Sequence, residues 1–221
     1  MGHITDFFKN RIQDVFFRGQ SATINSKTLS WSAAPSLFIG LIGGADFPNS
    51  GVRLSSTAYA VNKYAWPSTP NGRVYKVTTA GTTGASEPAW PTTDGGTVTD
   101  GTVVWTEATN LLAAGTIPEP SGGAYARQTW TCSLAAVMGC NLSTSASAST
   151  GNTGKISNLA AVQFPVATAA WGLCIFDAAS AGNPIEFCPL AVPKVVGAGD
   201  QLAFAGGVAN TSYGAITITQ Q

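Results

Sequence analysis

Acidic residues are the first candidates for chemistry in this chain, because Glu87, Asp94, Asp100 and Glu107 fall within one short, turn-rich stretch. A pair of carboxyl groups could act as a glycosidase, one protonating the leaving group while the other attacks the sugar. Their settings argue otherwise. Asp94-Gly95 and Asp100-Gly101 are turn pairs and Glu87-Pro88 precedes a rigid corner, so these acids read as structural. The spacing also lacks the D-x-D-x-D-G pattern of a calcium loop. His3 is the one histidine, so any Ser/His/Asp or Cys/His arrangement would have to pass through the N-terminus. Gly197-Ala198-Gly199-Asp200 is not a phosphate loop, since no Lys follows and no helical pattern begins there. The chain is therefore read as a non-enzyme, with no catalytic residue, no cofactor and no metal site.

Cys132, Cys140, Cys174 and Cys188 show no close C-x-x-C pair of the kind that holds zinc. Cys132 alternates with Trp130 and Leu134 and reads as a small buried hydrophobe. Cys174 and Cys188 flank a hairpin loop at Asp177 to Pro184 and are the candidate disulfide, provided the register makes them cross-strand neighbours; a one-residue slip puts them on opposite faces. Trp66, Tyr75, Trp90 and Trp105 offer a different chemistry, because exposed rings on a β scaffold can stack against the apolar faces of sugars. Tyr75 and Trp105 sit on pairing strands and are expected in a core. Trp90, between Pro88 and Pro91, is the best candidate for an exposed ring that contacts a glycan or a partner, and Trp66, before Pro67, comes next.

The elements that must position these residues are short strands. Of the 221 residues only 10% are charged, the formal net charge is zero and 25 are glycine. That composition describes many strands and tight turns and offers no basic surface for a phosphate backbone or an anionic membrane. Nucleic acid and membrane partners are not expected, and no apolar run reaches the roughly 20 residues of a spanning helix. The opening segment fails as a signal peptide, because Asp6, Lys9, Arg11 and Asp14 interrupt it. It reads instead as an amphipathic helix: Ile4, Phe7, Phe8, Ile12, Val15 and Phe16 recur at helical spacing, Thr5 or Asp6 can cap it, and Gly19 can stop it. The aromatic face of that helix either docks on the chain's own sheet or anchors in a neighbouring subunit, through Phe7 and Phe8.

Trp31 and Leu37 to Ile42 read as the first core strands. Further along, Gln128 to Leu134 alternates, Leu142 to Gly154 is a Ser/Thr-rich loop, Trp171 to Phe176 is apolar on both faces, and strands follow near Ile185 to Leu190, Gln201 to Phe204 and Ala215 to Thr219. The expected fold is all-β: a jelly-roll-like antiparallel β-sandwich of some eight strands with a short N-terminal helix. Residues 1–54 supply the helix and first strands, 55–108 form an inserted small β-module, and 109–221 complete the sandwich. Tyr125 and Arg127, after Gly122-Gly123, are placed to satisfy backbone carbonyls across a sheet end; the alternative is that Arg127 makes a bidentate contact to a carboxylate of a neighbouring subunit.

Two stretches carry resemblances. Gly72 to Thr106, GRVYKVTTAGTTGASEPAWPTTDGGTVTDGTVVWT, resembles a small domain found in tailed-phage virion proteins, and its aromatics are similar to those of chitin-binding-like modules. Phe38-Ile39-Gly40-Leu41, Glu119-Pro120-Ser121-Gly122-Gly123-Ala124-Tyr125-Ala126-Arg127-Gln128, Phe164 to Gly172, Phe176-Asp177 and Pro193-Lys194 through Gly206 resemble short phage structural proteins labelled tail-fibre or head-decoration proteins. The shorter members lack the insert. This resemblance implies a bacteriophage virion structural protein, first of all a capsid decoration (cement) protein that stabilises the head shell as a homotrimer. The alternative it implies is a tail or collar fibre protein that binds host-surface glycans through the insert. The implied partners are the major capsid protein or neck and tail proteins, the implied location is the virion, and assembly in the reducing host cytoplasm leaves the oxidation state of the cysteines open.

Overall fold

The structure, a computed structural model, describes residues 6–30, 36–110, 117–121, 123–134, 136–138, 142, 144, 155–208 and 214–219. His3, Ile4, Thr5, Trp31, Gly122, Cys140 and most of the Leu142 to Gly154 loop lie outside these residues. The described chain is all-β apart from one α-helix and two short 3-10 turns, and every named strand pair is antiparallel.

The strand Thr168–Phe176 is the centre of the molecule. It is apolar and almost wholly buried, as suits a strand covered on both faces. Ser36–Gly43 pairs with it on one side and Pro184–Val196 on the other, and Gln128–Thr131 completes this four-stranded sheet beside Ser36–Gly43. A register shift at Trp171 changes the parity of the strand, so that Trp171 and Cys174 share one face while Ala170 and Ile175 face the other way. On the Ala170 side, Ile39, Leu41, Trp130, Phe164, Ile156 and Phe204 form the main core against a second layer. That layer consists of the sheet Val137–Met138, Lys155–Asn158, Thr217–Thr219 and the ladder Val162–Phe164 with Leu202–Phe204. Buried Asn158 ties it together, donating to the carbonyls of Ala160 and Ala205 and accepting from the Ile216 amide. The sandwich expected from the alternating strands is thus present.

Pro184–Val196 is the edge of the main sheet. Ala170 stands opposite Lys194 and Gly172 opposite Pro189, so Leu190 to Pro193 bulge outward beside Trp171. Together with Pro184, Pro189 and Pro193, this bulge blunts an edge that would otherwise template another strand. The same ladder corrects the expected disulfide. Cys188 stands opposite Leu173 and Cys174 opposite Phe187, so the two thiols lie on opposite faces, and both are free.

Residues between Ser36–Gly43 and Gln128–Thr131 form separate sheets. Tyr64–Ala65, Tyr75–Thr79, Val103–Glu107 and Thr97–Asp100 make one in that order, and Ala58–Tyr59 pairs with Gly81–Thr82. Tyr59, Tyr75, Val77, Val103 and Trp105 fill the space between them. The chain leaves and returns through a closed neck, where the Gly43 amide donates to the Pro118 carbonyl at 2.8 Å. Closing such a neck adds little loop entropy however long the insertion is.

The helix α1, Asp6–Arg18, ends where Gly19 takes the left-handed conformation (φ 64°). Its expected apolar face is divided, with Val15 buried and three phenylalanines exposed. Phe7, Phe8 and Phe16 are 54%, 41% and 43% exposed, whereas Asn10, Gln13, Asp14 and Arg18 are buried beside Val15 and Phe17. The buried polar side chains include an Arg18 to Asp14 ion pair of 2.6 Å, one helical turn apart.

Candidate functional site

Three pieces of the sequence that lie far apart meet at one end of the main sheet. Glu119 accepts two hydrogen bonds from the Arg127 guanidinium, Nε to Oε2 at 2.9 Å and Nη2 to Oε1 at 2.6 Å, in a bidentate fork. Arg127 Nη1 donates to the carbonyls of Ala178 and Ala181, and the guanidinium lies 3.4 Å from the centroid of the Phe176 ring. The Tyr125 hydroxyl donates to Glu119 Oε2 at 2.8 Å and accepts from the Leu41 amide at 3.0 Å. Burial, and then the Glu119 charge, raise the pKa of that phenol, so it stays a donor. Gly40 leaves room for the cluster, because a Cβ there would come within 2.9 Å of Glu119, Tyr125 and Phe176. Arg127 thus bonds carbonyls across the sheet end, and the carboxylate it pairs with is this chain's own Glu119.

A second buried pair staples the module. Arg53 donates from Nε and Nη2 to the two oxygens of Asp100, at 2.9 and 2.7 Å, and caps the Gly84 and Ser86 carbonyls. Asp100 also accepts from the Gly84 amide and Trp105 Nε1. Burial acts to raise the Asp100 pKa, and the hydrogen bonds from Arg53, Gly84 and Trp105 outweigh it, so the carboxyl titrates below its ordinary value. Glu107 behaves alike: burial is outweighed by hydrogen bonds from Thr109 and Arg73. A general acid needs the opposite shift. Sequence reasoning missed both ion pairs; the Glu119 partner lay in the same quoted motif as Arg127, whereas nothing local connects Arg53 with a residue 47 positions away.

The aromatic residues divide. Trp66 is 2% exposed and packs with Phe47, Tyr64 and Val74 against Trp171, Cys174 and Phe176, joining the module to the outer face of the main sheet. This corrects its assignment as an exposed contact ring. The residue fills the site above Gly51, where a Cβ would overlap the indole, and its backbone bonds Gly51 and Arg53. Trp90 is half-buried. One face lies on Tyr75 (centroids 4.3 Å apart) and its edge meets Trp105, while Nε1 donates to Glu87 Oε1 at 2.9 Å. Ser68 holds the same carboxylate through its amide and hydroxyl. Burial tends to raise the Glu87 pKa, but these bonds from Ser68 and Trp90 lower it overall. Ser68, Glu87 and Trp90 therefore form a fixed surface corner with an aromatic ring, a hydroxyl and a carboxylate side by side. That combination can stack a sugar ring and accept hydrogen bonds from its hydroxyls. Phe7 and Phe8 are exposed on the helix α1.

Comparison with known families adds one match. The family model for the podophage GP4 fiber I protein gp80 matches residues 102–212, half of the chain. The matched stretch takes in the last strand of the module, the Arg127 cluster, the central strand and the sheet edge. No curated protein and no solved structure matches.

Proposed function

Because the chain belongs to the family of the podophage GP4 fiber I protein gp80, a family of phage virion structural proteins, we propose that it serves as a non-enzymatic fibre component, with the 55–108 module as its host-facing part. The match supports the fibre part of this reading, since it covers most of the sandwich after the module; of the module itself it includes only residues 102–108. The geometry supports it. Asp100 and Glu107 are held in ion pairs and Glu87 in hydrogen bonds from Ser68 and Trp90, which fits the module to hold a glycan rather than to cut it. The Ser68, Glu87 and Trp90 corner supplies the contact, with the half-exposed Trp90 ring at its centre. Purified protein should compete with phage for adsorption to host cells, and Trp90→Ala should lose that competition while keeping its fold; equal competition by both proteins would remove glycan contact from the account.

A second reading, capsid decoration, is favoured by one observation. With 10% of its residues charged and no net charge, the chain has the composition of a protein whose surface is covered by neighbours on a shell. Particles lacking the protein should then lose heat resistance, and unchanged particles would dismiss that reading.

A further inference from the structure

Asn71 and Gly72 form the one Asn-Gly pair in the chain, and they stand exposed in the turn that leads into the strand Tyr75–Thr79. The Arg73 amide donates to Asn71 Oδ1 at 3.0 Å, which closes an Asx turn and folds the side chain back over the Gly72 peptide. A backbone N–H can only donate, so this bond also fixes which end of the carboxamide is oxygen. The Nδ2 end donates to the Tyr75 hydroxyl at 2.9 Å, and that hydroxyl donates in turn to the Pro91 carbonyl at 2.8 Å. Tyr75 is fully buried, and its ring is the seat of Trp90. Two hydrogen bonds thus run in series from an exposed asparagine to the residue beside Trp90.

We propose that Asn71 is a site of spontaneous deamidation, and that the acid it becomes releases the Pro91 carbonyl from Tyr75 and loosens the loop that carries Trp90. Three features suit the chemistry. Gly72 has no side chain to obstruct its own nitrogen, no atom lies within 4 Å of where a Cβ would stand, and its N–H makes no hydrogen bond among the described residues. The bond from Arg73 draws charge from Asn71 Cγ and is in place to hold the oxyanion that forms there. Water reaches both residues. In the first step the Gly72 nitrogen, losing its proton to hydroxide, bonds to Asn71 Cγ; the bond from Cγ to Nδ2 breaks, and ammonia leaves with a proton from solvent. Water then opens the cyclic imide at either carbonyl, giving an aspartyl or an isoaspartyl residue, and neither step oxidises or reduces anything.

The product has no donor for the Tyr75 oxygen and puts a charged acceptor in its place. The phenol has one proton, kept by burial that raises its pKa, and a carboxylate attracts that proton more strongly than a carbonyl does. It therefore turns to residue 71, and the Pro91 carbonyl loses its partner. The isoaspartyl form also lengthens the backbone just before Tyr75–Thr79. The change accumulates with the age of the protein, needs no enzyme, and does not depend on what Trp90 contacts.

The test holds the full chain at mildly alkaline pH for days and follows residue 71 by peptide mass spectrometry, with hydrogen exchange reporting on residues 87–92. Residue 71 should turn to acid ahead of every other asparagine, at a rate proportional to hydroxide, and Gly72→Ala should slow it severalfold. Should Gly72→Ala misfold at its positive φ of 76°, Asn71→Gln supplies the slow variant, because the longer side chain closes the ring far less readily. The converted protein and Asn71→Asp should both exchange faster over 87–92 than the wild type. Tyr75→Phe should reproduce that loosening, and combining it with Asn71→Asp should add nothing further. An amide at residue 71 that persists in the folded chain while the denatured chain loses it overturns the chemistry; conversion that leaves exchange over 87–92 as in the wild type overturns its consequence for Trp90.

Discussion

Arg53 and Asp100 show what single residues do here. The pair is buried, bidentate and further satisfied by Gly84, Ser86 and Trp105, so removing one partner strands the other without water. Arg53→Ala should cost about 3–5 kcal/mol, read from denaturant unfolding of the full chain. The pair also sets a pH response. Asp100 and Glu107 titrate lower in the fold than in the unfolded chain, so the stability they lend is complete above their unfolded values and is lost as the pH falls through the folded ones. Module stability should therefore be flat near neutrality and drop below about pH 4; a melting temperature unchanged by acid would contradict this. At Trp90 the expected effect is smaller. Truncation to Ala removes the Tyr75 stack and should cost about 0.5–1.5 kcal/mol beyond the lost area, measured the same way, leaving the module folded for binding assays.

At the scale of elements, Trp66 joins the module to the sheet, and Gly51 makes its seat. Gly51 has φ 79° and no space for a Cβ, so Gly51→Ala should displace the indole, redden Trp fluorescence and speed proteolysis near the neck, while the Arg127 cluster stays intact. Unchanged fluorescence and proteolysis would mean that the docking seen here is not needed. Much of this architecture was legible in the sequence, because strand alternation reports which face is buried. Gln128–Thr131 and Thr168–Phe176 follow from their patterns, and so does the turn at Gly19. Three things were not. A proline before or after a tryptophan marks a corner without saying whether the ring points in or out, so Trp66 and Trp90 looked alike and differ in the fold. The helix spacing identified the apolar positions but not which of them are buried: Val15 is buried while Phe7, Phe8 and Phe16 are exposed, because Asp14 and Arg18 can be buried with their ion pair made within the helix itself. The cysteine register turned on the irregular Pro184–Val196 ladder, where a one-residue offset reverses the outcome and no local signal sets it.

On the scale of the whole molecule, the central sheet has the second β-layer on one face and the module on the other, each held by its own apolar cluster. Module and sandwich should unfold in one cooperative transition, and Trp66→Ala should split it into two, with scanning calorimetry as the check; two transitions in the wild type would contradict a firmly seated module. Such seating suits a virion part that meets a surface under load, because force on the module passes directly into the strand Thr168–Phe176. The account's central claim concerns where this protein sits, and immunogold labelling of intact virions with antibody against residues 55–108 tests it most directly. Gold confined to the tail and its appendages is the result predicted for a fibre component with an accessible module. Gold spread over the head, or absent from the particles altogether, would contradict it.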